Sequence, residues 1–148
     1  MTPLSLDELA AQFVAATLPR DQWTHIAHLR VGAWHVHRFG AGGALPRLRE
    51  AIQRLNRAQG TPNTPNGGYH ETITAAYVSL VSAFLAAGDP GQSLEHHVER
   101  LLAGALADRR VLLRFWSQET LMSPHARANW VAPDIAPLKL PDDEPNSS

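Results

Sequence analysis

The sequence predicts an all-α protein, and three observations carry that prediction. Apolar residues recur at helical spacing in every long segment, no stretch alternates with period two over a strand-like length, and the punctuation is that of helix caps and stops. A chain of 148 residues with 44% hydrophobic and 18% charged side chains suits one compact domain with a sizeable core. Short connections favour antiparallel neighbours, so the expected architecture is an up-and-down four-helix bundle with additional C-terminal helices. The helical domain is expected over residues 1–138. A disordered acidic tail is expected over 139–148, where Asp142, Asp143 and Glu144 lie between two prolines.

Ser5 and Glu8 form a capping box at the start of the first helix, which should run to about Thr17, before Pro19. A second helix is expected from Thr24 to Gly40, a residue suited to a left-handed stop. The third covers Ala44 to Ala58, with Pro46 tolerated in its first turn. The run Thr-Pro-Asn-Thr-Pro-Asn-Gly from Thr61 to Gly67 has no periodicity and is expected as a loop mobile enough to act as a lid. A fourth helix starts near His70, carries Ile73, Tyr77, Leu80, Val81 and Phe84 on one face, and stops at Gly88-Asp89-Pro90. Ser93 caps a fifth helix to about Ala105, Asp108 caps a sixth through Val111–Trp116, and Ser123-Pro124 opens a short last one.

Composition removes several function classes. The net charge of −1, from 13 basic and 14 acidic side chains, provides no positive field for nucleic acid. No run approaches the roughly 20 apolar residues of a membrane span, and the N-terminus lacks a signal-peptide pattern, so a cytoplasmic protein without membrane partners is expected. The absence of cysteine excludes thiolate metal sites and cysteine nucleophiles. Any metal must be held by nitrogen and oxygen, which turns attention to the 8 histidines.

At about 100° per residue, His25 and His28 fall in the apolar stripe of the second helix, whereas His37 joins Arg30 and Arg38 on the solvated face. His70 falls in the stripe of the fourth helix. In an up-and-down bundle the second and fourth helices run the same way, so their first turns share one end. His25, His28 and His70 are therefore expected to converge. Three neutral imidazoles leave a tetrahedral zinc ion one open position and also suit iron or another divalent first-row metal. Glu71 points about 100° away from His70 and is expected to act as a general base beside the metal. Alternatively it is a third ligand with two histidines, as in nonhaem iron sites. The competing structural account is a set of core histidines satisfied by hydrogen bonds. Arg110, Arg114 and Tyr69 are candidate substrate-binding residues, the arginines as clamps for an anion and Tyr69 through its place in the loop before His70. Trp34 lies off the main apolar stripe, where the second subunit of a homodimer could cover it.

The stretches Trp23-Thr24-His25-Ile26-Ala27-His28-Leu29, Gly68-Tyr69-His70-Glu71-Thr72 and Ser123-Pro124-His125-Ala126-Arg127-Ala128-Asn129-Trp130 resemble those of small bacterial proteins of unknown function. More loosely, a tryptophan before a helix containing Ala-His-Leu is similar to the DinB and YfiT-like helical bundles. That resemblance implies a three-histidine metal site between bundle helices and, in some members, thiol-dependent group transfer.

The leading expectation is a metal-dependent enzyme acting on a small molecule by hydrolysis or group transfer. In it His25, His28 and His70 hold the ion, Glu71 moves a proton and Arg114 orients an anion. The alternatives are a nonhaem iron oxygenase, a non-catalytic helical protein that binds a small ligand or metal, and a dimeric interaction module.

Overall fold

Residues 3–141 are described by a computed structural model, and among them no β-strand forms. Thr64 and Gly67 make an isolated antiparallel bridge. The all-α class therefore holds. No helix among the described residues is long and apolar enough to cross a membrane.

Helix α1 spans Leu6–Val14 and opens with the expected capping box, the Ser5 hydroxyl accepting from the Glu8 amide and the Glu8 carboxylate from the Ser5 amide. It buries Leu6, Leu9, Ala10 and Phe13. Helix α2 spans His25–Ala58, capped by Thr24, whose side chain accepts from the Ala27 amide. Within it Gly40 leaves helical geometry, with φ 71° and ψ 171°. A straight helix would set His28 and Ile52 about 36 Å apart at 1.5 Å per residue. Both nevertheless line one cavity, together with Leu29, Gly32 and Leu48. The element is thus a hairpin of two arms reversed at Gly40, in keeping with the two helices that the sequence predicts there.

Helix α3, Glu71–Ala87, packs chiefly against α2, as does α1 on another side. Helix α4 spans Leu94–Ala103 and α6 spans Pro124–Ala128, each with its serine cap in place. The expected sixth helix does not form. Instead Ala105–Ala107 and Val111–Arg114 are 3-10 turns, and a short α5 covers Gln118–Leu121. Ser117 is extended and caps α5. The Phe115 carbonyl accepts from the Ile135 and Ala136 amides of the returning chain instead of continuing a helix. That returning segment carries Leu138 and Leu140 onto the core. Packing thus continues past residue 138, and the remainder of the expected tail, 142–148, lies outside the described residues.

The loop before α3, expected as a mobile lid, is tied down by hydrogen bonds of the Asn63 side chain. The Asn63 side chain donates to the Gln53 carbonyl and accepts from Asn56 and from the Tyr69 amide. Gly68 has φ +79°, and a Cβ there would lie 2.5 Å from the Pro62 carbonyl oxygen.

Two glycines of α2 separate the roles of backbone and space. Gly40→Ala should cost about 1–3 kcal/mol, because its backbone conformation is essentially reserved for glycine. Gly32→Ala should stabilise by up to about 1 kcal/mol, since the site is helical and a Cβ there meets nothing within 4 Å. Urea unfolding measures both, and effects of the same sign would contradict the hairpin.

Candidate functional site

Between the two arms of α2 and α3 lies a cavity of about 870 Å³. Leu29, Val31, Leu48 and Ile52 wall it from the hairpin, Ile73, Val78 and Val81 from α3, and Leu112 and Leu113 from the turn beyond. Gly32 leaves its wall without a side chain, in open space. Among these apolar groups stand His25, His28, Thr74 and Tyr77, with the exposed Arg109 and Arg110 on the same rim.

Backbone carbonyls fix the two imidazoles. His25 donates from Nε2 to the Leu106 carbonyl at 3.0 Å, which leaves Nδ1 unprotonated in the neutral ring. His28 donates from Nδ1 to the Thr24 carbonyl at 2.6 Å, which leaves Nε2 unprotonated, and Trp23 stacks on its ring at 3.6 Å between centroids. Desolvation by neighbouring groups pushes the His28 pKa down to about 4 against the hydrogen bond to Thr24, with His25 and Arg109 acting in the same direction as desolvation. The ring also borders open cavity space and has exposed surface, which tempers the desolvation. His28 is therefore a neutral base at pH 7. The Tyr77 ring lies 5.5 Å from the His25 ring between centroids, and its phenol is pushed up to about 12 by burial and by Asp108, so it remains a donor.

A second cavity of about 480 Å³ adjoins the first and shares Trp23, His28, Ile52, Ile73 and Thr74 with it. Its other lining is polar, from Arg20, Asn56, Gln59, Thr61, Tyr69, His70 and Arg127. His28 and His70 thus line one cavity.

Convergence on a metal does not follow. Among the described residues no group of three His, Asp or Glu side chains is placed to hold a metal ion. His70 caps α3, accepting from the Ile73 amide at Nδ1, and donates from Nε2 to the Leu121 carbonyl at 2.6 Å. Both of its ring nitrogens are occupied. Burial, more than any other influence, holds its pKa below the usual histidine value.

Glu71 is engaged as well. Arg49 grips it through Nε at 2.9 Å and Nη2 at 2.7 Å, and the Tyr69 hydroxyl donates to it at 2.7 Å. The guanidinium holds the carboxyl below its ordinary range. In this arrangement Glu71 joins the second arm of α2 to α3 and is not poised as a base beside the imidazoles.

Of the other expected residues, Arg110 reaches the larger cavity and Tyr69 the smaller, while Arg114 is exposed and lines neither. Trp34 donates to Asp7 at 2.8 Å, so α1 of the same chain meets its indole where a second subunit was expected. Gly32, Tyr77, Arg109, Arg20 and Arg127 escape sequence reasoning. Trp23, placed just before two histidines three residues apart, is the one local signal that points to this end of the molecule.

Comparison with known proteins finds no family model that matches the chain, no similar curated protein and no similar solved structure.

The His28 environment has a pH signature. Its folded pKa lies below the ordinary value of 6.5, so the unfolded chain binds more protons between about 6.5 and about 4. The stability that His28 contributes is complete above about 6.5 and is lost as pH falls through that window; His35 and His70, also shifted downward, act in the same sense. Thermal melts should show Tm dropping from about pH 7 to about pH 5, with a smaller drop in His28→Gln. An equal drop in the two proteins would contradict a desolvated His28.

Proposed function

We propose that this chain binds a small, largely apolar molecule in the cavity between the α2 hairpin and α3, on an up-and-down four-helix frame. The observation that carries the reading is the chamber itself, about 870 Å³ of mostly apolar lining that opens where Gly32 omits a side chain. Ligand cavities commonly span about 300–1,000 Å³ and combine apolar walls with a few convergent polar groups. Here His28 offers an acceptor and Tyr77 a donor. Glycine in a helix also forfeits about 1 kcal/mol relative to alanine, a cost that buys space at this wall.

Filling the chamber tests the reading. Gly32→Leu should retain or raise Tm, because leucine favours the helix and its side chain enters open space. The same change should weaken binding of 1-octanol, measured by isothermal titration calorimetry, by at least about tenfold, equivalent to about 1.4 kcal/mol. Unchanged affinity in Gly32→Leu, or no uptake of octanol by the native chain, would overturn it.

A metal-dependent version of this function is favoured by one observation, that His25 and His28 are three residues apart and line the same cavity, each with one ring nitrogen not committed to the carbonyl it bonds. Such a site would use these two imidazoles with water or ligand atoms completing the shell. It predicts one zinc ion per chain by calorimetric titration, lost in His28→Gln. Zinc uptake that survives this substitution would contradict it.

A further inference from the structure

We infer that the ligand carries an anionic head group, a carboxylate or phosphate, seated in the smaller cavity between Arg20 and Arg127, with its apolar body in the larger one. The inference rests on the small-molecule reading above and adds the chemical class of the ligand.

Three features of the smaller cavity support it. First, Arg20 and Arg127 both line it and neither forms an ion pair among the described residues. Arg20 donates from Nη2 to the Gln59 carbonyl and lies 3.4 Å from the Thr61 hydroxyl, and Arg127 donates from Nη1 to the Gly68 carbonyl at 2.9 Å. These neutral acceptors orient the guanidiniums and leave their charge uncompensated. Second, Nε of Arg127 is buried with no hydrogen-bond partner. A buried donor left in that state costs about 1–3 kcal/mol, more when it carries charge, which an incoming oxyanion would relieve. Third, among the described residues no carboxylate lines the cavity. Glu71, which follows the lining residues Tyr69 and His70, is held by Arg49.

Arginine forks suit planar or tetrahedral oxyanions, and two of them beside a wall shared with an apolar chamber select an amphiphile over a free inorganic ion. The competing cations are Arg109 and Arg110 at the rim of the larger cavity. Both are exposed, as is Arg20; what sets the smaller cavity apart is Arg127, half-buried and with its Nε buried and unpartnered.

Isothermal titration of the full chain with octanoate, octyl phosphate, 1-octanol and octyltrimethylammonium tests the assignment. At least one of the two anions should bind about tenfold or more tightly than octanol, and the cation more weakly than octanol. Whichever anion binds more tightly identifies the head group. Arg20→Gln and Arg127→Gln should each bring the ratio of anion to octanol affinity toward one, whereas the double variant Arg109→Gln/Arg110→Gln should keep it above about five. Circular dichroism melts show whether each variant is folded, and the exposed Arg20 provides the test if loss of the Arg127–Gly68 bond unfolds the chain. Equal affinity of the native chain for octanol and for both anions would overturn the anionic head group while leaving the apolar cavity standing. So would an anion preference lost in the Arg109/Arg110 variant and kept in Arg20→Gln. Failure of all four compounds to bind would instead remove the small-molecule reading itself.

Discussion

At Gly40 the backbone takes φ 71° and ψ 171°, and the chain that has run as a helix from His25 turns back on itself. Leu48 and Ile52 of the returning arm thereby come to share a cavity with Leu29 and Gly32 of the outgoing one, and α3 closes the third side. The bidentate grip of Arg49 on Glu71 then joins the returning arm to the first residue of α3. Had the helix run straight through Gly40, no two arms would face each other and Leu48 and Ile52 would not wall the larger cavity.

Five histidines, four of them buried or half-buried and His28 exposed at the cavity mouth, follow one rule with two outcomes. His25, His28, His35, His70 and His97 each direct a ring nitrogen to a backbone carbonyl, from Leu106, Thr24, Val31, Leu121 and Asp89 respectively. Burial of a polar ring is thereby compensated without any ion. For His35, packed among Phe13, Trp34 and Phe39, this bond serves the core. His70 is consumed at both nitrogens. His25 and His28 differ because they border the larger cavity, which is why chemistry can be argued from these two and not from the full trio.

Local physics was legible in the sequence. The caps at Ser5, Ser93 and Ser123 each bond an amide three residues on, as does Thr24 at the expected start of the second helix, so a short window contains cause and effect. Gly40 was legible as a stop for the same reason. The segment from Val111 to Leu121 was not, since its helical pattern is interrupted by amides of Ile135 and Ala136 and by Asp134, which accepts from Ser117 and Thr120. Helical periodicity placed His70 correctly on a buried face, yet its partner at Leu121 lies 51 residues away. Arg20 and Arg127 belong to no periodic pattern at all, and only the folded chain places them on one cavity.

Intermolecular nuclear Overhauser effects between protonated octanoate and the methyl groups of an otherwise deuterated protein test most directly whether the space between the hairpin and α3 is a ligand site. The account predicts contacts from the alkyl chain to Leu29, Ile52 and Val78, which line that space from both arms of the hairpin and from α3. Contacts confined to exposed methyls such as those of Val14 and Ile135 would contradict it.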